Sequence, residues 1–412
     1  PVFDFTAGAD MSDDSLGQGL YTNTRGVMLQ GYLGKKLSFY SAVYENQSVF
    51  PAYLSAQIDQ SGVVPGQGRV KPFKVHGYDY AYVQGMIWFN PFSWWTIGVG
   101  HDKQFVGDGY RSLLLSDFSF NAAQINSDMR FLGGKLRYWM SYQALGTLSR
   151  MPATKSPEAQ FVRKAGNFFA LSYAPISRLE FTLFEGNIHR LWEGTSQSPQ
   201  WSYYVPVIMV NTLAGGFQSD TAACIPGINI RYSILPTLVS YGQFVPSVKR
   251  ALREESPAWQ LGAKWYDAFA VQNLFLQGEY NFSGTDRYSD TRTYGDYEHY
   301  NGALAHPRLF ALQELVLRGR YSFRDFFAHL SFIRSEYTFE AEEQFASGLM
   351  VYRDKAQLNH IAAEVGYLVQ PKTNMTLSLG WVQRATTAGS GQDTQWITVS
   401  MRTNLRNLYY DF

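Results

Sequence analysis

The chain has 412 residues with a formal net charge of +1, so no basic groove for nucleic acid is expected. Charged residues make up 17% and aromatics 16%, with 28 Tyr and 29 Phe, a balance that favours strands over helices. The single cysteine, Cys224, excludes an intrachain disulfide and a cysteine metal set, and no apolar run reaches the 18 residues of a membrane helix.

From the N-terminus onward the hydrophobic period is two. Alternation predicts strands over about 2–9, 24–33, 36–47, 78–89, 94–104, 125–132, 135–145, 165–174, 178–188, 226–234, 237–246, 257–267, 271–283, 312–322, 325–337, 357–369, 373–385 and 393–404. In 272–282, Leu274, Leu276, Tyr280 and Phe282 oppose Asn273, Gln277, Glu279 and Asn281. In 374–384, Met375, Leu377, Leu379 and Trp381 oppose Thr376, Ser378 and Gly380, and in 394–402 Ile397, Val399 and Met401 oppose Thr398, Ser400 and Arg402. Tight links at 34–36, 90–94, 133–135, 174–177, 235–237, 266–270, 323–325 and 371–374 alternate with long ones such as 48–77, 105–124, 189–225 and 284–311. Aromatics gather at the tight links: Phe89, Phe92, Trp94 and Trp95; Tyr266 and Phe269; Tyr321, Phe323, Phe326 and Phe327.

This pattern predicts a single all-β domain over 1–412. It is a transmembrane antiparallel β-barrel of about 18 strands in the outer membrane, with long extracellular loops. Alternation alone would also suit a β-sandwich. The regular alternation of short and long links and the aromatic girdle separate the two. The closing "NLYYDF" reads as a final strand ending on an aromatic.

The segment "GHDKQFVGDGYRSLLLSD" (100–117) falls on the long-loop side, where three exposed leucines would gain nothing. It is expected to fold inward and narrow the lumen, with Gly107 and Gly109 allowing a tight path. His101, Lys103, Gly107, Asp108, Gly109, Tyr110 and Arg111 are its plug candidates, Arg111 pairing with Asp108 or with a wall carboxylate such as Glu364 or Glu279. A second candidate plug, 61–80, carries Arg69, Lys71 and Lys74 against one acid, Asp79, and would attract anionic material; the alternative is a solvated loop.

The stretches "FDFTAG" (3–8), "LYTNTRGVMLQG" (20–31), "SFYSAVYENQ" (38–47), "VVPGQGRVKPF" (63–73) and above all 100–117 resemble the Wzi-like capsule-assembly barrels of Bacteroidota, some of them described as RemB-type gliding-motility proteins. The resemblance implies an eighteen-stranded outer-membrane barrel that binds surface polysaccharide. The expected partners are therefore outer-membrane lipid and lipopolysaccharide, surface polysaccharide, and further subunits of an outer-membrane complex if the chain serves in one.

Exposed aromatics suit sugar rings. Arg69, Lys71, Trp201, Tyr203, Tyr288, Tyr294 and Tyr297 are the candidate glycan contacts; ordinary loop packing is the alternative for each. Asp286, Asp290 and Asp296 offer Ca²⁺ ligand types in a spacing that is not that of an EF-hand, so no cofactor is expected and Ca²⁺ is a minor alternative. His101 with Asp102 or Asp117 and Ser112 or Ser116 supplies catalytic residue types without a nucleophile-elbow or zinc motif, so no enzyme activity is expected. Two other functions compete with polysaccharide binding: an accessory subunit of a secretion, gliding or envelope-assembly complex, and a porin.

Overall fold

A computed structural model describes residues 1–12, 19–150, 161–190, 204–215, 222–247, 249–250, 253–254, 256–284, 296–308, 311–345, 348–387, 393–403 and 410–412. Eighteen strands form its wall. They are β1 (Val2–Asp10), β2 (Leu20–Leu33), β3 (Leu37–Val49), β4 (Gly77–Phe92), β5 (Trp95–Asp102), β6 (Ala122–Phe131), β7 (Leu136–Arg150), β8 (Phe161–Ile176) and β9 (Leu179–Arg190). They continue as β10 (Ala222–Leu235), β11 (Leu238–Val245), β12 (Ala258–Trp265), β13 (Leu274–Ser283), β14 (Leu312–Phe323), β15 (Phe326–Phe345), β16 (Gly348–Gln370), β17 (Met375–Thr386) and β18 (Thr394–Arg402). Each pairs antiparallel with the next, and β1 closes on β18 from Phe5↔Met401 to Asp10↔Trp396. Closure pairs every wall strand on both sides, as a sheet crossing lipid requires, save for a seam at the long-loop end between β4 and β7.

The expected faces hold. Val27, Val43, Ile87, Val99, Leu330, Val365, Leu379 and Val399 are exposed on the outside. Thr24, Asn46, Gln124, Gln260, Asn281, Ser378 and Ser400 are buried inside. Phe92, Trp94, Tyr266, Phe269, Tyr321, Phe323 and Phe326 stand exposed at the short turns, Phe92 and Trp94 stacked at 5.5 Å, as a ring set half in lipid and half in water would be. The chain is thus an outer-membrane, multi-pass β-barrel, its short turns marking the periplasmic end.

The structure departs from the sequence reading in three places. First, β15 and β16 run well past 337 and before 357, paired to Phe345↔Gly348. Above the membrane neither face of a hairpin meets lipid, so alternation is not required there and gives no signal. Second, the described end of "NLYYDF", Tyr410–Phe412, does not close a wall strand, and its first three residues lie outside the described ones. The last wall strand stops at Arg402, and Tyr410–Phe412 lie in the lumen.

Third, Glu185, Asn187 and His189 are buried in the outward register of β9, in line with Leu183. The segment 204–215, with helix α1 (Val210–Gly215), covers this part of the outer wall. The Met209 and Thr212 amides donate to Glu185, at 2.5 Å and 3.1 Å, and the Thr212 hydroxyl at 2.6 Å. Tyr142 donates to the Tyr204 carbonyl and stacks on its ring. The covering segment turns Val205, Val207 and Leu213 outward, so the apolar exterior is kept over a polar patch.

Candidate functional site

Among the described residues, the lumen is filled from the long-loop side by three chain segments. One is 103–121. A second is the short hairpin of Glu298–His299 with Gly302–Ala303. The third carries helix Ala52–Ser61 and the two-residue pairing of Val63–Val64 with Gly68–Arg69. At the centre, Leu113, Leu114 and Leu115 are buried among Trp139, Phe168, Phe184, Ile188, Ile225 and Val245. On that side the inner wall is apolar, which gives the leucines a partner that a solvated loop would lack.

Successive strands also present polar side chains to the plug, Asn229 to the Asp108 carboxylate and the next three to its backbone. Asn229 of β10 donates to Asp108 at 3.0 Å. Gln243 of β11 accepts from the Leu113 amide at 2.7 Å and donates to the Val106 carbonyl at 3.1 Å. Gln260 of β12 donates to the Arg111 carbonyl at 3.0 Å. Glu279 of β13 accepts from the Tyr110 amide at 2.6 Å and the Arg111 amide at 3.1 Å. Beyond the bridge of the Val106 amide to the Leu115 carbonyl and the bond of the Ser116 amide to the Leu304 carbonyl, the backbone of this irregular segment is in this way satisfied by wall side chains. Gly109 is required by the approach: a Cβ there would lie 2.6 Å from Glu279 Oε2 and 2.7 Å from Gln260 Oε1. Gly107 has φ +133°, which L side chains rarely adopt.

Arg111 is the charge centre of the plug, 2% exposed. Its Nη2 lies 3.4 Å from Glu314 Oε1 of β14 and 3.0 Å from Asp411 Oδ1. Glu314 is further held by His306 Nε2 at 2.8 Å, Asn281 at 3.0 Å and Ser335 at 3.3 Å. Burial works against the Arg111 cation, but the two carboxylates more than offset it and hold its pKa above the ordinary value. The expected Asp108 pairing does not form. Asp108 meets Arg231 at 3.6 Å, while Glu279 takes the plug amides and Glu364 takes Arg402 and His329.

A seam in the wall is closed by the same segments. β5 and β6 are short, so Tyr80–Gln84 of β4 and Leu145–Arg150 of β7 lack a described strand neighbour on the side facing each other. His299 spans it. The Gly146 amide donates to Nδ1 at 3.0 Å, which leaves Nε2–H to donate to the Asn121 carbonyl at 3.0 Å. The Tyr300 amide donates to the Gly146 carbonyl at 2.9 Å, and Asn121 donates to the Val83 carbonyl at 2.7 Å. His101 is in register with outward Val99 and meets Val83 and Phe120, so it lines the seam rather than the lumen. Lys103 donates to the Asp117 carbonyl at 2.9 Å, beneath Gly66.

Burial, chiefly, lowers the His299 pKa from 6.5 to about 4; Lys164 and His101 add to this, against the bonds to Asn121 and Gly146. A pKa depressed on folding means the neutral ring's contribution is complete above pH 6.5 and is lost as pH falls toward 4. Conductance in a planar bilayer is therefore expected to appear as pH is lowered through that window. His299→Gln, which does not titrate, should flatten the dependence; an unchanged profile would remove His299 from the seal.

The candidate glycan contacts divide. Arg69 stands exposed at the long-loop end with its guanidinium 4.8 Å from the Phe161 ring, and Lys71 is exposed on a rim strand, Lys71–Phe73, paired with β4. Tyr297 is not on an exposed loop. It is 1% exposed, packs on Phe168 and donates to the Leu114 carbonyl at 2.8 Å, so it belongs to the plug core. Trp201, Tyr203, Tyr288 and Tyr294 lie outside the described residues, as do Asp286 and Asp290; the Asp296 carbonyl accepts from Lys164 at 2.9 Å. Missed by sequence reasoning were Glu314, His306 and Asp411. Glu314 alternates with apolar Leu315 in its strand, a signal that it faces inward but not that it meets Arg111.

Solved structures share this fold. The Escherichia coli outer-membrane protein Wzi, described as a carbohydrate-binding β-barrel involved in group 1 capsule assembly, superposes with a TM-score of 0.58 at 12% identity over 97% of this chain and 83% of that one. Pseudomonas aeruginosa OpdL gives 0.53 at 10% identity over 97% and 96%, and OpdK with vanillate gives 0.52 at 10% over 97% and 96%. At these identities the likeness is one of fold. No protein-family profile and no curated protein matches the chain.

Proposed function

We propose that this chain is a non-enzymatic outer-membrane barrel of the Wzi-like type that holds surface polysaccharide at its extracellular face. The observation that carries the reading is the filled lumen. A barrel of eighteen strands is wide enough for an aqueous channel, yet here apolar and ion-paired segments fix one another across it. A wall built to conduct has no use for Leu113–Leu115 or for a buried Arg111–Glu314–Asp411 cluster. The likeness to a carbohydrate-binding barrel supports the same reading.

Contact with glycan falls to the long-loop rim: Arg69 and Lys71, with Trp201, Tyr203, Tyr288 and Tyr294 as proposed stacking residues. The likeness to OpdK and OpdL favours a porin as the second reading.

The test is binding of the detergent-purified full chain to an array of bacterial surface glycans. Retention of at least one acidic glycan is expected, and the double change Arg69→Glu, Lys71→Glu should weaken it by about tenfold or more, as two lost charge-assisted contacts would. Absence of any glycan binding, with stoichiometric outer-membrane partners in native purification, would replace this reading with that of an accessory subunit.

A further inference from the structure

Asp411 sits in the plug on residues, Tyr410–Phe412, that are not part of the wall. Thr403 closes against Phe3 and Asp4 at the short-turn end of the barrel, whereas Tyr410–Phe412 lie among plug residues. These three residues belong to no strand. Asp411 Oδ1 lies 3.0 Å from Arg111 Nη2, and its other carboxylate oxygen accepts from the Tyr110 hydroxyl. Phe412 stands edge-on to Phe118 at 5.3 Å, and Tyr410 edge-on to Phe50 at 5.7 Å. The Tyr110 ring is itself covered by the Arg318 guanidinium at 4.0 Å. The Asp411 carboxylate is therefore met by a cation and a phenol, while its neighbours Tyr410 and Phe412 are held by aromatic contacts.

The two carboxylates on Arg111 are not equivalent. Glu314 is fixed in a strand and braced by three neighbours. Asp411 makes the shorter contact but sits in Tyr410–Phe412, which belong to no strand. Such a ligand can be exchanged without breaking the wall, and a carboxylate on a ring with an apolar face would satisfy the same cation, phenol and aromatics. A uronic acid is that chemistry.

We propose that Tyr110 and Arg111 form a carboxylate subsite inside the barrel, with the Phe118 ring one residue further along where Phe412 now packs, that Asp411 occupies it as an intramolecular stand-in, and that its exchange ligand is the uronate of an acidic polysaccharide. This rests on the polysaccharide reading above and places a second, acid-specific subsite below the rim. An occupying Asp411 lowers apparent affinity by the fraction of time the site is free.

The experiment compares the full-length protein in detergent with its Asp411→Asn variant, titrated with a galacturonate trisaccharide and with the neutral galactose trisaccharide. Heat-modifiable migration serves as the check that each variant is folded. Asp411→Asn is expected to bind the uronate about tenfold more tightly than wild type and the neutral sugar no better. Adding Arg111→Lys, which keeps charge but loses the fork, should reverse most of the gain. Equal affinities of wild type and Asp411→Asn for the uronate overturn the subsite. Equal gains for both sugars do the same, by showing that loosening and not a vacated carboxylate site is responsible. Failure of the rim reading is distinguishable: the array would then be blank for wild type, while the uronate gain on Asp411→Asn persists.

Discussion

Replacing Arg111 by Met is expected to unseat the plug. The change leaves Glu314 and Asp411 buried beside one another without their cation. Breaking a buried ion pair from one side costs about 3–5 kcal/mol, because the partner charge is left uncompensated. The Tyr110 and Arg111 amides would still reach Glu279, but with three carboxylates now sharing the region the segment loses more than it keeps. Two readouts follow: a lower urea midpoint in detergent, and conductance steps in a planar bilayer where the wild type gives few. Adding Glu314→Gln should recover part of the loss, as coupled neighbours do. By contrast Asp108→Asn, at a partly exposed pair with Arg231, should change stability by less than about 1 kcal/mol. An Arg111→Met protein as silent and as stable as wild type would mean that the plug does not depend on this cluster.

The second large effect concerns the outer face. Val399 of β18 is exposed and lies between outward Leu379 and Ala7 in the register. If lipid covers that face, Val399→Arg should cost about 2–4 kcal/mol near the bilayer midplane. Val399→Leu, an apolar change of similar shape, should cost under about 1.5 kcal/mol. If water covered it, the arginine would be neutral to within about 0.5 kcal/mol. Equilibrium unfolding from lipid vesicles separates the two outcomes, and a harmless Val399→Arg would remove the membrane from the account.

What the sequence made legible was what the solvent dictates locally. The faces of 374–384 and 394–402 follow from lipid on one side, and the girdle at Phe92, Trp94 and Phe269 follows from the interface. The glycines at 107 and 109 foretold a tight backbone path because no side chain fits there. Long-range pairing was not legible. Arg111 could have met any inward carboxylate, and only the register of β13 and β14 puts Glu279 under its amide and Glu314 under its guanidinium. The terminal aromatic misled: Tyr410 and Phe412 end no strand but pack on Phe50 and Phe118. The outer-wall patch at Glu185 was hidden for the opposite reason: the predicted strand 178–188 carries Glu185 and Asn187 at outward positions, and only a distant segment that covers them accounts for their polarity.

The most direct test of a stoppered barrel is the conductance of the purified wild-type chain in a planar bilayer at neutral pH. The account predicts a baseline broken by rare, small events. Steady open-channel steps of the size an empty eighteen-stranded lumen would pass would contradict it.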